Sequence, residues 1–146
     1  MGQQQLLLIV LGIIVVGIAI YVGFFLLRSN KADHNRQAVI SDLLNFSNKA
    51  QQYYRTPAQM GGGSLNFKGF NISAIDTGNA NGSYSVTAGI APTGAAFVPG
   101  SVAPVSSSAS TVYIIGCGVE NGENKSTPVK CYIEVTADNI QTVILN

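Results

Sequence analysis

The residues of this chain that could take part in catalysis or metal binding are two cysteines, one histidine and seven acidic residues. His34 is the only histidine and lies close to the end of an apolar run of membrane-crossing length, so we expect neither a Ser-His-Asp nor a Cys-His set in the β-rich part of the chain. Glu120 and Glu123 flank a predicted Asn-Gly turn, which leaves a calcium site open as an alternative to a solvated turn. We therefore expect no enzyme, no cofactor and no resident metal.

The two cysteines lie in separate β-type runs, and their even count favours a disulfide between Cys117 and Cys131 over a metal site, which would need two further ligands. A hairpin that pairs them would be stabilised by about 3 kcal/mol through loop closure. The same register places three apolar pairs opposite each other: Ile115 with Ile133, Tyr113 with Val135, and Val119 with Val129.

Four Asn-X-Ser triplets match the acceptor sequence for N-linked sugars, at Asn45, Asn71, Asn81 and Asn124. The serine-rich stretch 106–110 is an alternative site for O-linked sugars. Chance matches are also expected in a chain this rich in asparagine and serine.

The first structural element predicted from the sequence is an apolar run, Leu6–Leu27. It contains 22 residues without a charge, and at about 1.5 Å per residue a helix of this length crosses a bilayer. A helix that is apolar on every side must lie in lipid or pack against copies of itself. The residues expected to form such a packed core are Leu6, Leu7, Leu8, Ile9, Leu11, Ile13, Ile14, Val16, Ile18, Ile20, Tyr21, Phe24 and Phe25.

The run continues as an amphipathic pattern, and no proline interrupts the stretch from Gln3 to Thr56. One helix of about fifty residues is the simplest interpretation. Pro57 and the glycines 61–63 end it. We expect its second half to cover a sheet with these side chains: Val39, Ile40, Leu43, Leu44 and Tyr54.

Beyond the helix the pattern is that of β-strands. Alternation and turn residues predict strands at 65–75, 84–90, 112–119, 129–135 and 140–145, with a proline-containing loop over 92–111. The predicted fold class is α+β, with a long N-terminal helix whose apolar half protrudes and whose second half packs on an antiparallel sheet. The predicted parts are an apolar helix at 1–28, an amphipathic continuation at 29–56 and a β-rich head at 57–146.

Charge gives little information about partners, because the formal net charge is only +1. We expect no nucleic-acid partner. The Gly, Ser, Thr and Asn content and the expected disulfide favour an extracellular head. The basic residues Arg28, Lys31 and Arg36 after the apolar run argue for the opposite orientation.

In this arrangement the chain resembles type IV pilins and pseudopilins. The apolar N-terminal helix, the segment Ala50-Gln51-Gln52-Tyr53-Tyr54 near the helix end, the Gly-rich turn and the C-terminal cysteines carry the resemblance. It implies a structural subunit that is stored in the inner membrane, extracted by pilus assembly machinery and added to a helical homopolymer. Such an extracellular filament serves adhesion, and motility or uptake.

The resemblance also implies a processing point between Gly2 and Gln3. The fifth residue after that point is Leu7, where family members carry a glutamate, and three glutamines precede the apolar run. Two alternatives stay open: a pseudopilin of a secretion or DNA-uptake machine, and a single-span anchored binding module. The helix aromatics fit packing, with electron conduction as an alternative role.

Overall fold

The computed structural model describes residues 2–93, 103–122 and 126–145. Helix α1 spans Gly2–Arg55 and is followed by a short 3-10 helix, Ala58–Met60. The four strands are β1 (Gly82–Ala88), β2 (Thr111–Asn121), β3 (Pro128–Thr136) and β4 (Ile140–Ile144). The long helix packs on the sheet, so the predicted α+β class is confirmed.

The sheet is an antiparallel meander in the order β1-β2-β3-β4. One face of the sheet packs against the hydrophobic core. In β3, buried and half-buried residues alternate strictly, so every second side chain lies on that face. The fully buried strand residues on this face are Tyr84, Val112, Ile114, Val129, Cys131, Ile133 and Val135.

The second half of α1 covers this face. Its residues in the core cluster are Val39, Leu43, Phe46 and Ala50, spaced four, three and four apart as one side of an α-helix requires. Each fully buried aliphatic side chain contributes about 1.5–3 kcal/mol. The sheet and this helical stripe therefore form a single hydrophobic core.

The end of α1 is satisfied by the loop that follows it. The N–H groups of Gly63 and Leu65 donate to the carbonyls of Tyr53 and Tyr54, both at 2.8 Å. These carbonyls have no partner inside the helix, so the loop completes the C-terminal hydrogen bonding. A side chain at Gly63 would collide with the Asn66 carbonyl and the Tyr53 ring, which explains glycine there.

The strand predicted at 65–75 does not form. Leu65 has a positive φ of 64° and Gly69 one of 87°, both outside the extended region. The buried residues Phe67, Phe70 and Ile72 are spaced three and two apart, so no two-residue alternation exists to build a strand. The backbone instead bonds to the segment before β2, with Val105 N–H donating to Phe70 O at 2.9 Å.

Contacts divide the chain into two units, residues 1–31 and residues 32–146. The whole hydrophobic core lies in the second unit. Part of the loop predicted at 92–111 (residues 94–102) lies outside the described residues, as do Glu123 and Asn124.

Candidate functional site

The apolar segment Leu6–Leu27 is helical throughout and lies at the solvent-facing surface of its unit. No residue in it is buried, and each large apolar side chain is 47–75% exposed. All thirteen residues predicted to form a packed core lie on this segment. Gly2 and Gln3 lie in the first turn of the same helix, Gln3 exposed. Length and composition suffice for this part of α1 to cross a membrane.

Three glycines in the apolar segment are not required by contacts within it. A Cβ added at Gly12, Gly17 or Gly23 would meet no atom within 4 Å. Glycine inside a helix costs about 1 kcal/mol relative to alanine. Gly12, Ala19 and Gly23 fall within about 40° of one another around the helix axis, and Ala19 and Gly23 have the small-xxx-small spacing that permits close helix approach.

Four of the five residues predicted to pack α1 on the sheet contact the core, and one does not. Val39 and Leu43 are fully buried, and Ile40 and Tyr54 pack partly buried against the core. The assignment of Leu44 is wrong, because its side chain is 41% exposed. Leu44 follows Leu43 by one residue and so points about 100° away from the buried stripe.

Asp42, beside the buried stripe of α1, accepts hydrogen bonds from β1 and from the turn before it. Asp42 Oδ2 accepts hydrogen bonds from Tyr84 Oη at 2.6 Å, Asn79 Nδ2 at 2.8 Å and Asn81 Nδ2 at 2.9 Å. We call these four residues the Asp42 cluster. Burial acts to raise the pKa of Asp42, but the bonds from Asn81, Tyr84 and Asn79 together outweigh it and hold that pKa below its usual value. Burial, followed by the bond to Asp42, raises the pKa of Tyr84.

Asn35 makes a second polar connection between α1 and the sheet. Its Nδ2 donates to Asn81 O at 2.8 Å, and its Oδ1 accepts from Glu120 N–H at 3.2 Å. A side chain at Gly118 would collide with Asn35 Oδ1. Glycine at this point of β2 therefore leaves the space that the asparagine occupies.

A glycine on β2 also sets how closely α1 approaches the sheet. A Cβ at Gly116 would lie 2.7 Å from Val39 Cγ1, 3.2 Å from the Tyr84 ring and 3.3 Å from Leu43 Cδ1. These distances are shorter than ordinary contacts between carbon atoms, which lie at about 3.5–4.0 Å. The helix consequently packs directly on the backbone of β2.

The predicted disulfide does not form, and Cys117 and Cys131 are free thiols. The pairing of β2 with β3 is displaced by one residue from the predicted register: Gly116 lies opposite Cys131, and Cys117 lies opposite Lys130. A one-residue displacement moves a side chain to the other face of a sheet. Cys131 therefore faces the core and Cys117 the opposite face.

The apolar pairs that were predicted change with the register. Ile133 lies opposite Ile114 rather than Ile115, and Val135 lies opposite Val112 rather than Tyr113. The pairing is also irregular between Cys117 and Asn121, so Val119 does not pair with Val129 and is 65% exposed. Gly116 and Gly118 explain this register. Because they lack side chains, the face of β2 on which they lie leaves room for α1 to pack.

Both thiols are poor nucleophiles in the folded chain. Burial raises the pKa of Cys131 to about 11 and outweighs the opposite effect of Arg36. Burial likewise raises the pKa of Cys117, against a smaller effect of Lys130. Neither side chain has the lowered pKa that marks a reactive cysteine.

The Asp42 cluster and Asn35 were not predicted as functional residues. Asn81 was considered only as the acceptor of an Asn-X-Ser triplet. A signal was present, because Asn35, Asp42 and Ser47 fall on or beside the stripe formed by Val39 and Leu43. A polar side chain within a buried stripe needs a hydrogen-bond partner, which indicates polar contacts across the interface.

Metal-ligating side chains are not grouped in the residues that the structure describes. These residues contain no group of three metal-ligating side chains, and His34 is exposed on α1.

Comparisons with models of protein families, with curated proteins and with solved structures found no match to this chain.

Proposed function

We propose that this chain is a pilin-like structural subunit, which polymerises through its apolar segment into an extracellular filament for adhesion, and for motility or uptake. The observation that carries the proposal is the contrast within one helix. The stripe from Val39 to Ala50 is buried in the chain's own core, whereas Leu6–Leu27 contains no buried residue.

The free energy available to such an assembly is large. Burial of apolar surface stabilises by about 25 cal/mol per Å², or about 0.8 kcal/mol per CH₂ group. The apolar segment exposes leucine, isoleucine, valine and phenylalanine side chains over most of its length. Repeated packing of this segment against the same segment of neighbouring copies is therefore enough to hold a filament together.

The glycines of the apolar segment support packing between helices rather than solvation by lipid alone. Lipid chains place no demand on side-chain size, whereas a neighbouring helix does. The face formed by Gly12, Ala19 and Gly23 lets two helix backbones approach closely. Before assembly, the subunit would be stored in the inner membrane, and pilus assembly machinery would extract it.

The Ala32–Leu145 part completes the proposal as the head of the subunit. It has its own core, and the Asp42 cluster ties the helix to the start of β1. In the filament this part is exposed to solvent and provides the adhesive surface.

Two substitutions test polymerisation directly. Leu11→Asp and Gly17→Arg each place a charge in the apolar segment, where an unpaired charge costs several kcal/mol. Both variants should form no filaments in the material sheared from producing cells, examined by electron microscopy. Their tyrosine circular dichroism should match the wild type, because the core lies elsewhere. Filaments at normal yield from either variant contradict the mechanism.

A second candidate function is a single-span anchored binding module, which the membrane-length apolar segment itself favours. Gly23→Leu separates the two candidates, because leucine keeps the segment apolar while it blocks close helix approach. A filament subunit should lose most of its filament yield, whereas an anchor should remain membrane-bound and monomeric in detergent for both variant and wild type. Val22→Leu is the matched control, since it adds a similar side chain beside the glycine face.

A further inference from the structure

The Asn-X-Ser triplets can be compared by the conformation of each. A transferase that attaches sugar to asparagine must reach the asparagine carboxamide and the serine hydroxyl two residues later, which requires an exposed and non-helical segment. Three of the four triplets, at Asn45, Asn71 and Asn81, lie in described residues, and Asn124 lies outside them.

Two of these triplets are blocked. Asn45 lies in the middle of α1, and the hydroxyl of Ser47 is fully buried and donates to Leu43 O at 2.7 Å. Asn81 donates to Asp42 through its own Nδ2, the atom that would receive a sugar. The Asn45 triplet would become accessible only after part of the core had opened, and the Asn81 triplet only after its bond to Asp42 had broken.

Asn71 is presented differently. Asn71 and Ser73 are exposed and Ile72 between them is buried at 5% exposure, so the two side chains that a transferase recognises are both accessible from solvent. These three residues lie in no helix or strand. No described residue hydrogen-bonds to the Asn71 carboxamide. The neighbouring backbone is fixed, because Val105 N–H donates to Phe70 O.

We propose that Asn71 is a site of N-linked glycosylation. In the reaction, Asn71 Nδ2 attacks the anomeric carbon of a polyprenyl-diphosphate-linked oligosaccharide. The new C–N bond replaces the bond between that carbon and the diphosphate oxygen, the amide gives up one proton, and the polyprenyl diphosphate leaves. The inference rests on the proposed function in one respect: the head must be exported to reach such a donor.

Mass spectrometry of the full chain from cells that make it naturally tests the site. The intact mass should exceed the 15.3 kDa of the polypeptide. Trypsin cleaves after Lys68 and the protease Asp-N before Asp76, so the combined digest isolates residues 69–75 with this triplet alone. The added mass should lie on that peptide, and Asn71→Gln should remove all of it.

Matched variants keep the test decisive. Ser73→Ala should also remove the sugar and Ser73→Thr should retain it, whereas Asn45→Gln and Asn124→Gln should leave the mass increase unchanged. An unmodified 69–75 peptide, or a sugar found only at another asparagine or on serines 106–110, overturns the inference. Electron microscopy of the same preparations separates the two proposals: filaments without sugar contradict only the glycosylation site, and sugar without filaments contradicts only the filament function.

Discussion

Asp42 Oδ2 accepts a 2.6 Å hydrogen bond from Tyr84 Oη, although 42 residues separate the two in sequence. Tyr84 is fully buried, so its hydroxyl is satisfied by this carboxylate and not by bulk water. The bond joins the helix that covers the core to the first strand of the sheet, and two asparagine side chains reinforce it at the same oxygen. The strength of this connection can be measured.

Removal of the carboxylate should destabilise the fold. Asp42→Ala leaves the Tyr84 hydroxyl and two carboxamides without their acceptor, and we expect a loss of about 2–3 kcal/mol in the free energy of unfolding. Urea unfolding of the detergent-solubilised chain, followed by tyrosine circular dichroism, measures it. Asp33→Ala is the control, because Asp33 pairs with Arg36 at 2.7 Å but is 55% exposed and should contribute below about 1 kcal/mol. Equal effects of the two variants would contradict the structural role of the cluster.

The same carboxylate should make stability depend on pH. The pKa of Asp42 is lower in the folded chain than the ordinary aspartate value of 3.8, so at acidic pH the unfolded chain takes up the proton first. The contribution of Asp42 is therefore complete well above pH 3.8 and is lost as the pH falls through that value towards the folded pKa. The stability difference between wild type and Asp42→Asn should shrink over this range. A difference that stays constant from pH 6 to about pH 2.5 would show that Asp42 has no lowered pKa.

Substitution of Gly116 should disturb the packing of the helix on β2. Gly116→Ala brings a methyl group to 2.7 Å from Val39 Cγ1, and overpacking of this kind costs about 1–3 kcal/mol. The double variant Val39→Ala with Gly116→Ala makes room for the methyl group and should cost less than the sum of the two single variants. Gly78→Ala serves as control, because its Cβ would meet no atom within 4 Å. Strict additivity in the double variant would exclude the contact.

The register of β2 against β3 can be tested by thiol chemistry. Cys117 lies directly opposite Lys130, so Lys130→Cys should form a disulfide with Cys117 under mild oxidation. The wild-type chain should keep both thiols free under the same conditions, because Cys117 and Cys131 point to opposite faces. Peptide mapping without reductant identifies the linked residues. A Cys117–Cys131 bridge in the wild-type chain would restore the register first predicted from the sequence.

The helix and the strands followed from sequence, but their register did not. Residues Gln3 to Thr56 lack proline, and the part after the apolar run shows helical periodicity, which is enough to define α1. Four of the five predicted strands form. The register was ambiguous because β2 has buried isoleucines on both faces, Ile114 at 0% and Ile115 at 5% exposure. Alternation of apolar residues cannot then identify the core face.

The site was predictable only in its apolar part. An uninterrupted apolar run can be recognised from its residue types alone. The Asp42 cluster cannot, because it depends on contacts across 37 to 42 residues of sequence. One inference must also be withdrawn. Because the cysteines are free, they no longer support an oxidising compartment, and the proposed exterior location rests on the apolar segment and the polar composition of the head.

The burial of both thiols has a consequence for the filament proposed above. Disulfide exchange needs a thiolate, and a pKa of about 11 leaves very little of it on Cys131 at neutral pH. If the proposed filament forms, neighbouring copies should therefore not become crosslinked by disulfides. Subunits would then separate from one another without reduction of any bond between them.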